Sequence, residues 1–202
     1  MNRQGFLLSS AIAVTLPSME PVAAATPSAA FDLDVFNAWL SRSAAHRQCF
    51  GATERRGGAV LNQMRNSIRA YRTALNEPRG SMHAIAVLYA GNSISIAYND
   101  QLWNELLIPV VSGSSDVGTL TPESGNPFSS TLAELSNDGS HFFVCNNALT
   151  EDARILGRMK QRSADDMYAF IAARLVPNAM IVPAGVMAIN AAQEAHFTYV
   201  AA

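Results

Sequence analysis

The run Met82–Ala90, MHAIAVLYA, constrains the fold more than any other stretch of this chain. It is continuous, almost wholly apolar, and stops at Gly91-Asn92-Ser93. A strand apolar on both faces must be covered on both faces, which places it at the centre of a parallel sheet between two layers of helices. Other short runs fit the same sheet: Arg47–Phe50, His141–Val144, Asn178–Val182 and Phe197–Val200. Helical spacing of apolar residues separates them. Ala59–Asn76 has Leu61, Met64, Ile68, Tyr71 and Leu75 on one stripe and Arg65, Arg69 and Arg72 on another face. Helices are also expected at Ile94–Leu107, Phe128–Leu135, Ala148–Lys160 (weakened by Gly157), Ala164–Leu175 and Val186–Ala195. Pro109–Pro127, rich in Ser, Gly, Thr and Pro, reads as a long loop. Strand alternating with helix predicts an α/β domain with a mostly parallel sheet and helices on both faces.

With 202 residues the chain suits one domain, and with 49% hydrophobic and 15% charged residues it is globular rather than disordered. A net charge of −2 gives no reason to expect nucleic acid or an anionic membrane surface as partner. Residues 1–25 differ from the rest: a basic start at Arg3, an uncharged run through Leu16, then Ala23-Ala24-Ala25. That is the pattern of a cleavable export signal, too short in its apolar run to span a membrane comfortably. Arg3-Gln4-Gly5-Phe6-Leu7 resembles a twin-arginine signal, with Gln4 in place of the second arginine. The mature chain is therefore expected to be periplasmic and unattached to membrane, with a single domain over residues 26–202. Its first helix, about Phe31–Ala44, would be an outer helix that packs on the domain or on a partner subunit.

The segment Ser140–Leu149, SHFFVCNNAL, places Cys145 where a buried strand gives way to a helix. In open parallel sheets, ligands bind beyond the carboxyl ends of the strands. A helix N-terminus also favours a thiolate. Two readings stand: a small buried hydrophobe or a reactive thiol. The other expected strand ends, Gly51-Ala52-Thr53, Gly91-Asn92-Ser93 and Pro183-Ala184-Gly185, are small or polar and would line one crevice with Cys145. Asn146, Asn147, Gly91, Asn92 and Gly185 are the candidate ligand-binding residues there. Asn92 and Asn147 could serve an anion or cap helices. The second cysteine, Cys49, lies on another strand; two strands apart is about 10 Å, beyond the reach of a disulfide. His46, His83, His141 and His196 show no metal-ligand spacing, and no phosphate loop or dinucleotide fingerprint occurs, so neither metal nor cofactor is expected.

Four stretches, GGAVLNQMRNSIRAY, LYAGNSISIAYNDQLW, FFVCNNAL and VPAGVMAINAAQEAHFTYV, give the chain a family likeness. It resembles the DsrE/DsrF-like family, in its exported branch, from about Cys49 to Val200. The resemblance implies a three-layer α/β/α domain with a five-stranded parallel sheet, assembled as a homo-oligomer. Sulfur-relay members carry sulfur as a persulfide on a cysteine at the place Cys145 occupies. It thus implies a periplasmic sulfur-handling protein, sulfurtransferase-like, taking a small sulfur-containing anion at Cys145. The competing expectation is a non-catalytic oligomeric module that keeps the fold and binds a small ligand in the crevice. Asp100 and Trp103, which belong to the same likeness, are expected to close a helix against the sheet.

Overall fold

A computed structural model describes residues 31–202. The expected export segment, residues 1–25, lies outside the described residues. Among the described residues, no helix is long and apolar enough to cross a membrane.

Five strands form one sheet: β1 (His46–Ala52), β2 (Met82–Leu88), β3 (His141–Cys145), β4 (Ala179–Val182) and β5 (Thr198–Ala201). Their order is β4-β3-β2-β1-β5, and every pairing is parallel. The apolar run that predicted a central strand is the central strand, and all of β2 is buried.

Strand alternation divides the core into two layers. Phe50, Ala84, Ala86, Leu88, Phe142 and Val144 point to one side. There they meet α2 (Ala59–Ala74), α6 (Asn146–Met159) and α7 (Ala164–Ala172), together with the helical segment after β2. Cys49, Ile85, Val87 and Phe143 point to the other side, beneath α1 (Leu33–Ser41) and α8 (Gly185–Glu194). The result is a three-layer α/β/α domain. Asp32 caps α1 by accepting from the Val35 N–H at 2.9 Å. Phe36 and Leu40 on α1 are buried in the second layer's core, while Leu33 remains exposed. α1 therefore packs on the domain, the first of the two placements expected for it.

The structure changes the expected order of elements most between β2 and β3. Ile94–Leu107 is not one helix. Ser93–Ala97 forms a 3-10 turn, and Tyr98 then extends to bridge antiparallel to Leu175. Asn99 starts a new helix by accepting from the Leu102 N–H at 3.0 Å. This new helix runs as α3 (Asp100–Leu102), a π-helical turn (Trp103–Leu107) and α4 (Ile108–Val111). The expected loop thus begins after Val111 rather than at Pro109, and leads to α5 (Ser129–Asn137). Helix α6 starts at Asn146, two residues earlier than its pattern suggested, and continues through Gly157.

Candidate functional site

Cys145 is the last residue of β3 and the N-cap of α6. Its backbone (φ −67°, ψ 121°) is still extended while Asn146 is already helical. The thiol therefore sits at the carboxyl end of the sheet against a helix start, as its surroundings in the sequence implied. It is 4% exposed and makes no capping hydrogen bond. Cys145 pairs with Val182, the last residue of β4. Cys49 lies in β1, with β2 between it and β3, is fully buried, and its thiol is pushed up to about 12 by burial. Both thiols are free.

All the candidate ligand-binding residues follow strand ends, but each has its own local setting. Asn146 is the first residue of α6, and its Oδ1 accepts from the Tyr168 hydroxyl at 2.6 Å, tying α6 to α7. Asn147 is exposed in the same first turn. Asn92 does not cap a helix with its side chain; its Oδ1 accepts from the Arg55 backbone N–H at 2.6 Å, joining the ends of β1 and β2. Gly91 adopts φ +50°, and a Cβ there would lie 2.7 Å from the Thr53 carbonyl oxygen. At Gly185 a Cβ would lie 2.0 Å from the Tyr89 Cβ, so the start of α8 rests directly on the chain leaving β2. Both glycines thus have packing reasons for lacking a side chain.

A polar cluster that the sequence did not reveal lies at the same end of the sheet. Arg55 is 4% exposed, just past β1. Its Nε donates to Asp116 Oδ2 at 2.5 Å, its Nη1 donates to Ser95 Oγ at 3.2 Å, and its guanidinium lies 5.3 Å from the Trp103 ring centre. Asp116 also accepts from the Gly57 N–H at 2.5 Å, so one carboxylate fastens the loop after α4 to the turn before α2. Next to this cluster, the buried Tyr98 hydroxyl donates to Asp152 Oδ2 at 2.8 Å. Burial raises the Asp152 carboxyl to about 6, with the Tyr98 hydrogen bond and the Arg55 charge acting in the opposite direction. Asp152 lies two turns along α6 from Cys145. A buried, perturbed carboxyl at the carboxyl end of a parallel sheet is a feature of functional sites and also of structural ion networks. The available signals were a charge immediately after a strand end and an acid on the helix following the cysteine.

Trp103 and Asp100 do close the helical segment: Trp103 Nε1 donates to the Ser95 carbonyl at 2.9 Å, and Asp100 Oδ1 accepts from the Asn126 N–H at 2.9 Å. At the opposite, amino-terminal end of the sheet, His83 and His141 come within 5.6 Å, ring centre to ring centre, although the sequence shows them only as scattered. Burial lowers both to about 4. Trp39 of α1 stacks on His141 at 4.0 Å. Among the described residues, no group of three or more His, Cys, Asp or Glu is arranged to hold a metal ion.

Fold and site together define a three-layer α/β/α protein with a thiol at the junction of a central-sheet strand and the helix that follows. No protein-family model matches the chain, and no curated protein matches it. Among solved structures, it is similar to the protein of unknown function MTH1491 from Methanobacterium thermoautotrophicum. The two are 18% identical, the match covering 78% of this chain and 99% of that one, with a TM-score of 0.44.

Proposed function

We propose that this protein handles sulfur, with Cys145 carrying it as a persulfide. The observation that carries this reading is the position of Cys145: it alone of the two thiols stands at a strand-to-helix junction at the carboxyl end of the sheet. The N-terminal end of α6 contributes partial positive charge to a thiolate there, roughly 0.3–1 kcal/mol by itself. In the transfer step the Cys145 thiolate attacks a sulfane sulfur of a polysulfide. The new S–S bond forms on Cys145 as one S–S bond of the polysulfide breaks, and the shortened polysulfide leaves with the electron pair. The resemblance to the exported DsrE/DsrF-like branch supports the same reading and a periplasmic, homo-oligomeric setting.

The 4% exposure of Cys145 favours a second reading, a non-catalytic module that binds a small ligand beside the strand ends. Thiol chemistry separates the two. Under the first, Cys145 alkylates faster than Cys49 at neutral pH and the protein gains the mass of one sulfur on incubation with polysulfide. Cys145→Ser abolishes that gain and keeps the fold. If Cys49 reacts first, or neither thiol gains sulfur, the carrier reading is overturned and the binding module stands.

A further inference from the structure

We propose that the cleft between α2 and α5, at the end of the domain away from Cys145, is a binding site for a small tetrahedral oxyanion such as sulfate, thiosulfate or phosphate. The cleft measures about 510 Å³ and is lined by Arg65, Arg69 and Arg72 of α2, by Arg79 from the loop before β2, and by Glu134 and Asp138 on and just after α5. With Glu77, also in its lining, four cations face three anions.

The ion pairs leave cationic donors unused. Arg79 is engaged closely, donating through Nε to Asp138 Oδ1 at 2.9 Å and through Nη2 to the Asn137 carbonyl at 3.2 Å. Arg72 and Arg65 only approach the acids, at 3.9 Å from Asp138 and 3.9 Å from Glu134. Arg65 spends Nη2 on Asn62 Oδ1 at 2.8 Å, while its Nε is buried without a hydrogen-bond partner. Arg69, one turn of helix from both Arg65 and Arg72, has no acidic partner among the described residues. Guanidinium groups present paired N–H donors that match the oxygen spacing of a tetrahedral oxyanion or carboxylate. An anion seated between Arg65 and Arg69 would take up guanidinium donors that the ion pairs engage only weakly. The three α2 arginines follow the i, i+4, i+7 spacing of one helix face, so a single anion can meet more than one of them. The carboxylates across the cleft limit the charge and size of what fits.

This site does not rest on the Cys145 reading and is tested apart from it. Sodium sulfate, thiosulfate and phosphate are titrated separately into the protein at constant ionic strength set with sodium chloride, with binding read by calorimetry and by thermal unfolding. At least one oxyanion is expected to bind and raise Tm beyond the chloride control. Arg69→Gln, at an exposed position, should weaken binding about tenfold or more, as loss of a charge-assisted contact does. Arg65→Gln should act in the same direction. No effect beyond chloride, binding of succinate but of none of the three oxyanions, or unchanged binding by Arg69→Gln would each overturn the proposal.

Discussion

The Tyr98 hydroxyl donates a hydrogen bond to Asp152 Oδ2 at 2.8 Å, joining the extended residue between two helical segments to the helix that starts just after Cys145. Burial keeps this carboxyl protonated up to about pH 6 in the folded protein, against 3.8 for an ordinary aspartate. The folded state therefore holds this proton over a range where the unfolded chain has released it. Its contribution to stability is complete below about pH 4 and is lost as pH rises through about 6. Asp152→Asn retains an acceptor for Tyr98 but has no proton to lose. Urea unfolding from pH 4 to 8 should show the variant gaining on the parent with rising pH, by up to about 3 kcal/mol above pH 7. Parallel curves would refute the assignment.

Arg55 is held at three points, and no substitute reproduces them. Arg55→Ala leaves Asp116 with the Gly57 N–H alone and removes the cover from Trp103. A loss of about 3 kcal/mol is expected in chemical unfolding, since breaking a mostly buried pair strands its partner. Arg55→Lys should recover only part, because an ammonium cannot serve Asp116 and Ser95 as a planar fork does. Limited proteolysis between residues 112 and 125 should speed up in both variants, and unchanged cleavage would show that Asp116 does not fasten that loop.

The contact between Gly185 and Tyr89 leaves no room for a methyl group. Gly185→Ala should destabilise the protein by about 1–3 kcal/mol, the usual cost of overpacking. Adding Tyr89→Gly should return part of that loss. Purely additive effects in the double variant would mean that the strain lies elsewhere.

Self-association is expected from the family resemblance. Leu33, Val35 and Val186, on the two helices of one layer, are large apolar residues left exposed. Light scattering at micromolar concentration should give a multiple of the monomer mass, and Val186→Glu should lower it if α8 takes part. A monomeric parent chain would exclude this form.

What the sequence disclosed depended on burial. β2 and the aromatic run of β3 were legible because a parallel strand covered on both faces has to be apolar almost without interruption. β1 proved longer than its pattern suggested: Gly51 and Ala52 look like a turn, but they pair in register with Val87 and Leu88. Ile94–Leu107 carried apolar residues at helical spacing, yet Tyr98 leaves the helical path to bridge Leu175 and reach Asp152. The position of Cys145 could be read because the strand-to-helix change is local. Arg55, Tyr98, Asp116 and Asp152 could not be found in that way. Each looks like an ordinary surface or core residue in its own segment, and only the crossing of four segments makes them a cluster.

The order β4-β3-β2-β1-β5 also sets a schedule for the growing chain. β1, the first strand, finds its outer neighbour only in β5, where Gln48 pairs with Thr198. Helices and the β1-β2-β3 pairings can form as synthesis proceeds, but that flank of β1 stays bare until every other described element has been made. Closing so distant a pair is the slow kind of folding step, and a bare strand edge invites foreign pairing meanwhile.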